Sequence, residues 1–422
     1  MVLLASFLLC NIANAASSSI SYNVINFGAK PDGKTESTQS FLGAWASACR
    51  SPRPATVYVP KGRYLLKEVV FNGPCNNRIS VRIDGTLVAP TDYRALGNSG
   101  FWILFSKVDG ISVIGGKIDA KGAAFWACRN SGKSCPVGAR SMTFRGANGV
   151  EVNGLVSLNS QKMHLVINDC KNVVIRNVRM IAPDESPNTD GIHVQGSTGI
   201  TITSSILKTG DDCVSIGPGT KNMFMDRILC GPGHGISIGS LGQNAVEDGV
   251  QNITLINSLF IGSQNGIRIK SWARPSTGFV NNINYRNIVM RYVNNPIIID
   301  QNYCPDNIGC PNQTSGIKIS GVTYKNIQGT SKTKVAMTFD SYSKRSLIYN
   351  IFYIRKPTGL PPPPIMATKL CEVFVAIAWL MVVRIWMRIY MQNGSCSSSS
   401  NRALSQMMVM GFHGSSGCRK CG

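Results

Sequence analysis

The sequence predicts an all-β chain whose strands climb as the coils of a parallel β-helix, preceded by a short capping helix. Runs rich in Ile and Val return after roughly twenty to forty residues, at 111–114, 150–152, 173–175, 200–202, 236–238, 253–256 and 317–319, and such a period indicates a solenoid. Asn172, Asn252 and Asn282 each lead directly into a β run, and Asn accepts the left-handed backbone that a corner requires. No leucine-rich, helix-pair or propeller pattern repeats, and the linkers are too short for crossover helices.

The first residues predict a secretory signal peptide over residues 1–16. An apolar run at 2–10 is followed by the small residues Ala13 and Ala15, a pattern that signal peptidase accepts. Cleavage is expected near Ala15 or Ala16. A buried N-terminal strand is the alternative, since no Lys or Arg precedes the apolar run.

One helix is expected before the C-terminal tail, over Thr38–Cys49. Apolar side chains at Phe41, Leu42, Trp45 and Cys49 follow helical spacing. We expect this helix to cap one end of the β-structure.

The β pattern ends near Asp340, so the predicted β-helix domain covers residues 17–340. The remaining residues, 341–422, contain four consecutive Pro at 361–364 and an apolar run at 373–383 that is too short to span a bilayer. With ten basic residues and one acidic residue, they carry +9 of the chain's net +22. We favour an aberrant segment from a different reading frame or a retained intron. A genuine basic amphipathic tail that binds a surface is the alternative.

Cysteine usage predicts disulfides, because an exported chain folds in an oxidising compartment. Cys10 falls in the signal peptide, which leaves 13 of the 14 Cys. The pairings that we expect, although sequence does not fix them, are Cys49–Cys75, Cys128–Cys135, Cys213–Cys230 and Cys304–Cys310. Cys418 and Cys421 stand alone at the C-terminus without further ligands, so no structural zinc site is expected.

The chain is strongly basic, with 43 Lys and Arg against 21 Asp and Glu. Such a balance attracts polyanions through long-range fields and says nothing about the fold. Nucleic acid, an anionic membrane and an acidic polysaccharide all remain open as partners at this point.

Acidic and basic residues recur at a nearly constant interval between residues 188 and 270. Asp190 and Asp211 are 21 positions apart, and Asp212 and His234 are 22 apart. If one coil takes about that many residues, these groups stack on one face about 4.8 Å apart. Clustered carboxylates raise at least one pKa, which is typical of functional sites. Turn caps or a calcium site would use the same residues.

Arg268 and Lys270 are two positions apart and therefore point the same way on a strand. Alone, this pair would indicate solvated surface. One or two coils beyond His234, it favours a substrate that is itself acidic.

Four ordered motifs resemble the signature segments of a known family, the polygalacturonases, which are pectin-cleaving glycoside hydrolases. The motifs are Asn188-Thr189-Asp190, Gly210-Asp211-Asp212, Gly233-His234-Gly235 and Arg268-Ile269-Lys270, and residues 26–34 are similar to plant members. The resemblance covers roughly residues 21–340. It implies a right-handed parallel β-helix and a secreted enzyme that hydrolyses de-esterified pectin in the cell wall with inversion.

The resemblance also implies catalytic roles. Asp211 would protonate the glycosidic oxygen, Asp190 and Asp212 would position and activate water, and His234 would tune the protonation of the acid. Only the resemblance implies inversion, because inverting carboxylates lie about 6.5–9.5 Å apart and neighbouring coils about 4.8 Å apart.

On the substrate side, the resemblance implies that Arg268 and Lys270 hold galacturonate carboxylates and that Tyr303, in a weaker local motif, binds substrate. The expected partner is an acidic polysaccharide, and we expect a monomer with no nucleic acid, membrane span, cofactor or metal ion. A rhamnogalacturonan hydrolase and a non-catalytic pectin-binding wall protein are the alternatives. Asn252, Asn312 and Asn393 fit the glycosylation rule.

Overall fold

The computed structural model describes residues 19–340 and, beyond them, the backbone of two short strands. The predicted signal peptide and the rest of residues 341–422 lie outside the described residues. The helices are α1 (Thr38–Cys49) and α2 (Ala123–Asn130), with 3-10 turns at Val24–Phe27, Tyr93–Leu96 and Pro305–Asn307.

The strands of the described chain are, in order, β1 (Ile20–Asn23), β2 (Asp32–Glu36), β3 (Ala55–Val59), β4 (Arg63–Leu65), β5 (Val69–Asn72), β6 (Ile79–Ile83), β7 (Thr86–Val88), β8 (Phe101–Ser106), β9 (Ile111–Ile114), β10 (Lys117–Asp119), β11 (Arg140–Arg145), β12 (Asn148–Asn153), β13 (Val156–Leu158), β14 (Leu165–Asn168), β15 (Lys171–Arg176), β16 (Arg179–Ile181), β17 (Ile192–Gln195), β18 (Thr198–Lys208), β19 (Val214–Ile216), β20 (Lys221–Cys230), β21 (Ile236–Leu241), β22 (Val250–Ile261), β23 (Asn265–Ser271), β24 (Phe279–Val293), β25 (Asn295–Asp300), β26 (Lys318–Ser331), β27 (Met337–Asp340), β28 (Phe352–Ile354) and β29 (Ile365–Met366).

The strands form two sheets, which we call sheet A, with 18 strands, and sheet B, with 11. Sheet B contains β5, β8, β11, β14, β17, β19, β21, β23, β25, β27 and β29. Strands of successive coils pair in parallel in both sheets, as in β17 with β19 and β18 with β20. The architecture is the right-handed parallel β-helix that the sequence predicts.

Apolar side chains stack from coil to coil inside the β-helix. One aligned row of sheet B consists of Met142, Leu165, Ile192, Val214, Ile236, Ile267 and Ile297. No member of the row is more than 4% exposed. Full burial of such a side chain contributes about 1.5–3 kcal/mol. Because each coil adds one member to the row, Ile and Val recur in the sequence once per coil.

The corners of the coils use Asn in the left-handed conformation, as the sequence predicts. Asn172, Asn252 and Asn282 have φ angles of 53°, 59° and 54°. Their amides connect neighbouring coils, because Asn252 donates to Asn222 at 2.8 Å and Asn282 donates to Asn252 at 2.9 Å. The amide of Asn252, a predicted glycosylation site, is therefore engaged within this row.

Helix α1 has the predicted bounds and covers the N-terminal coils, where Trp45 packs on Phe71 with ring centroids 4.9 Å apart. The expectation of a single helix before the tail is wrong. Helix α2 forms in an excursion between β10 and β11 that the Cys128–Cys135 disulfide closes. Its eight residues are too few for helical periodicity to stand out in the sequence.

All four expected disulfides are confirmed, at Cys49–Cys75, Cys128–Cys135, Cys213–Cys230 and Cys304–Cys310. Within the described part of the chain, Cys170 is a free and buried thiol. The other cysteines lie outside the described residues.

Beyond Asp340, strand β28 pairs in parallel with β26 in sheet A, and β29 pairs in parallel with β27 in sheet B. Backbone from the segment predicted to be aberrant thus joins both sheets. Among the residues described here, no helix has the length and apolar character that crossing a membrane requires.

Candidate active site

Four of the predicted site residues lie where sheet B strands begin. Asp190 stands two residues before β17, Asp211 and Asp212 three and two before β19, and His234 two before β21. The coils hydrogen-bond at this corner, since the Gly191 amide donates to the Asp212 carbonyl at 2.9 Å and the His234 amide donates to the Asp211 carbonyl at 2.8 Å. The interval of 21–22 residues is therefore one coil. It brings Asp211, Asp212 and His234 within reach of one another, and it places Asp190 close enough for the charges of Asp211 and Asp212 to act on it.

Asp212 is the buried anion at the centre of the site, with a side chain only 2% exposed. Its Oδ1 accepts hydrogen bonds from Ser237 Oγ at 2.7 Å and Arg268 Nη2 at 2.9 Å. Lys270 Nζ donates to Oδ2 at 2.9 Å. Burial opposes ionisation, but the charges of Lys270 and Arg268 outweigh it and lower the pKa of Asp212 to about 2. Asp212 is thus an anion throughout the ordinary pH range.

Asp190 has the opposite electrostatic environment. It is 6% exposed, and Ser215 Oγ donates to its Oδ2 at 2.5 Å. Burial, followed by the negative charges of Asp211 and Asp212, raises the pKa of Asp190 to about 7. The cluster therefore retains a proton in mildly acidic solution, and the proton belongs to the coupled carboxyls as a group.

The raised pKa of Asp190 predicts a pH-dependent cost in stability. The folded chain loses stability as the pH rises from 3.8, the ordinary value, through about 7, because the buried carboxyl must ionise. We expect Asp190→Asn to exceed the parent chain in stability by on the order of 2–4 kcal/mol at about pH 8, and by far less at about pH 4. Urea unfolding at both pH values measures this, with the exposed Asp248→Asn as control. Equal differences at the two pH values would contradict it.

Asp211 is the most accessible of the three carboxyls, with 18% of its side chain exposed. Its Oδ1 accepts the Asp212 amide at 2.7 Å and faces His234 Nδ1 at 3.0 Å. Among the described residues, Oδ2 has no hydrogen-bond partner. Burial lowers the pKa of His234, but the hydrogen bond and charge of Asp211 outweigh it, so the pKa is raised. His234 therefore holds a proton more readily than a free imidazole when Asp211 is ionised.

Arg268 and Lys270 lie on β23 and share one face, as expected, but they are not solvated. They are 9% and 7% exposed, and both direct their charge at Asp212. Lys270 Nζ also lies 5.1 Å from the centroid of the Tyr303 ring, which packs edge-on against Trp272. The structure thus brings all seven predicted site residues into one neighbourhood.

Sequence reasoning missed the polar side chains that hold the carboxylates. His193, Ser215 and Ser237 occupy one row of sheet B, in direct register with the predicted Arg268. Because Ser215 donates its hydroxyl to Asp190, His193 Nδ1 donates to Ser215 Oγ, at 2.8 Å. The sequence interval could have revealed two of these residues, since Ser215 and Ser237 are 22 residues apart, the same interval as Asp212 and His234.

Asp211, Asp212 and His234 offer three ligand atoms within 4.8 Å of one another, close enough to surround a cation. Both oxygens of Asp212 already face Arg268 and Lys270, and His234 Nδ1 faces Asp211. A metal ion would have to displace these partners. The donor set is therefore better suited to holding a proton than a metal.

Carboxyls whose pKa values are driven apart on the face of a β-helix fit one class of protein, a glycoside hydrolase that works by acid–base catalysis. The sequence pattern of glycosyl hydrolases family 28 matches residues 49–348. The chain belongs to this family.

Similar plant proteins include a polygalacturonase of Prunus persica, 56% identical over 335 residues that cover 79% of this chain and 85% of that protein. Polygalacturonase-2 of Solanum lycopersicum is 43% identical in an alignment that covers 75% of this chain and 70% of that protein. Among solved structures, an endo-xylogalacturonan hydrolase from Aspergillus tubingensis superposes with a TM-score of 0.70 at 23% identity, covering 83% of this chain and 98% of that one. The polygalacturonase from Erwinia carotovora superposes with a TM-score of 0.59 at 22% identity, covering 81% of this chain and 97% of that one. At these identities the two structures support the fold alone.

Proposed function

We propose that this protein hydrolyses the α-1,4 bonds of de-esterified polygalacturonate with inversion. The observation that carries the proposal is that the site drives the pKa values of buried carboxyls apart. The coupled cluster around Asp190 keeps a proton up to about pH 7, while Asp212 stays ionised. The identity of 56% to the peach polygalacturonase supports this substrate.

Asp211 acts as the general acid. Its accessible Oδ2 points the proton at the glycosidic oxygen, while Oδ1 is fixed by His234 and by the Asp212 amide. Protonation of that oxygen lets the bond to the anomeric carbon break. The coupled carboxyls retain one proton in mild acid, and we take that proton to lie on Asp211 when the substrate is bound.

Asp190 and Asp212 hold the attacking water. The permanent charge of Asp212 stabilises the positive charge that develops on the sugar ring, because it is fixed before the reaction begins. With the shared proton on Asp211, Asp190 is ionised, so water adds to the anomeric carbon from the opposite side and passes a proton to Asp190. That proton returns to Asp211 as the product leaves, so the site is restored.

Arg268, Lys270 and Tyr303 bind the sugar next to the cleaved bond. Each cation has N–H groups besides those given to Asp212, and a uronate carboxylate accepts such groups readily. The edge-on packing of Tyr303 against Trp272 fixes the ring that borders this position.

We also propose that the protein is secreted to the cell wall and works as a monomer. Four disulfides fit an oxidising compartment.

A panel of three polymers tests the substrate. We expect the purified chain to release reducing ends rapidly from polygalacturonate, and at least about tenfold more slowly from its methyl ester, which lacks the charge that Arg268 and Lys270 recognise. Little release is expected from rhamnogalacturonan. Preference for rhamnogalacturonan would favour the related hydrolase, and binding to polygalacturonate without release would favour a non-catalytic wall protein.

A further inference from the structure

A second pair of cations, Arg140 and Lys162, lies on the N-terminal side of the carboxylate cluster. The Ser141 amide donates to the Met163 carbonyl at 3.0 Å, and the His164 amide donates to the Asp190 carbonyl at 2.8 Å. Lys162 therefore stands about one coil and Arg140 two coils before Asp190, or roughly 5 and 10 Å along the helix axis.

The backbone of this cation pair is fixed by a buried network. The Lys162 amide donates to the Ala139 carbonyl at 3.1 Å, and the Ala139 amide donates to Gln161 Oε1 at 3.0 Å. Gln161 is 1% exposed, and Trp126 of α2 donates its indole N–H to the carbonyl of Ser160 at 3.1 Å. The excursion that contains α2 thus holds the two cations in place.

Arg140 and Lys162 are half-buried and take part in none of the ion pairs found within residues 19–340. Burial, followed by the positive charges of Arg140 and Arg129, lowers the pKa of Lys162. The charge of Arg140 also acts on His193, in the same row of sheet B as Ser215. These cations therefore lie near enough to the catalytic residues for their charges to interact, and half-buried cations without an anionic partner are unfavourable.

This contrasts with Arg268 and Lys270, whose charge is already balanced by Asp212. The catalytic cations have a buried carboxylate partner in the protein, whereas Arg140 and Lys162 have none within salt-bridge distance in the described chain. An anionic ligand would supply the missing partner.

We propose that Arg140 and Lys162 form a subsite for uronate carboxylates, located beyond the sugar at the cleaved bond on the N-terminal side. The proposal rests on the proposed function, because it takes the ligand to be an acidic polysaccharide. Its consequence is that the enzyme needs consecutive free carboxylates and works better on longer chains.

The test compares Arg140→Gln/Lys162→Gln with the charge-preserving Arg140→Lys/Lys162→Arg and with Lys171→Gln, which removes an exposed cation from sheet A. We expect the KM for hexagalacturonate to rise at least about tenfold in the Gln variant with kcat nearly unchanged. The KM for trigalacturonate should change much less. The charge-preserving variant should retain most of the affinity, and Lys171→Gln should match the parent chain.

Titration of hexagalacturonate into these variants in an Asp211→Asn background measures binding without turnover, and unfolding curves show that each variant is folded. Parent-like affinity of the Gln variant, or an equal loss on both oligomers, would overturn the subsite. If the parent chain binds hexagalacturonate tightly but hydrolyses nothing, the proposed function fails, and the titration still decides the subsite.

Discussion

Replacing Asp211 by Asn is expected to lower kcat on polygalacturonate by about 10²–10⁴-fold, the range that general acid catalysis contributes. The amide has no proton of suitable acidity to give to the glycosidic oxygen. It still accepts the Asp212 amide and the His234 ring through its carbonyl oxygen, so the geometry is preserved. KM should change little.

The rate of reducing-end release by Asp211→Asn measures this loss, and Asp84→Asn is the matched control. Asp84 is an exposed carboxyl that accepts hydrogen bonds from Tyr58 and Arg82, away from the catalytic face. Its variant should keep the parent rate. An Asp211→Asn variant that keeps more than a tenth of the parent kcat would exclude Asp211 as the acid.

Replacing Lys270 by Met is expected to cost on the order of 2–4 kcal/mol in the free energy of unfolding at about pH 7, because Asp212 keeps its charge with only Arg268 to balance it. The pKa of Asp212 should rise, and kcat should fall because the fixed charge beside the sugar is altered. Urea unfolding and steady-state kinetics measure the two effects.

The pH dependence of this cost follows from the lowered pKa of Asp212. A lowered pKa contributes stability above 3.8, the ordinary value, and this contribution disappears as the pH falls to about 2. The deficit of Lys270→Met should therefore shrink between about pH 7 and about pH 3. Adding Asp212→Asn should recover part of the stability, as expected for coupled residues. Additive losses in the double variant would show that the pair is not coupled.

The spacing of the sequence predicted the stack of Asp190, Asp212 and His234 because three consecutive coils there have almost equal length. A constant length turns a sequence interval into a vertical row, since each coil adds one parallel strand. The same rule would have found Ser215 and Ser237.

The pairing of Asp212 with Arg268 and Lys270 could not be predicted in this way. The two cations are 56 and 58 residues beyond Asp212, and the coil between Ser237 and Arg268 is 31 residues long rather than 22. A longer loop lengthens the sequence interval between two residues but leaves the pairing of their strands unchanged. Helix α2, which the sequence did not reveal, lies in another long connection between coils, and a disulfide closes that connection.

Proton NMR of the first product released from polygalacturonate tests the central claim most directly. Because the substrate is α-linked and water attacks from the opposite face, we expect the new reducing end to appear first as the β anomer and then to mutarotate. An α anomer as the first product, or an unsaturated product formed by elimination, would contradict inverting hydrolysis at Asp190, Asp211 and Asp212.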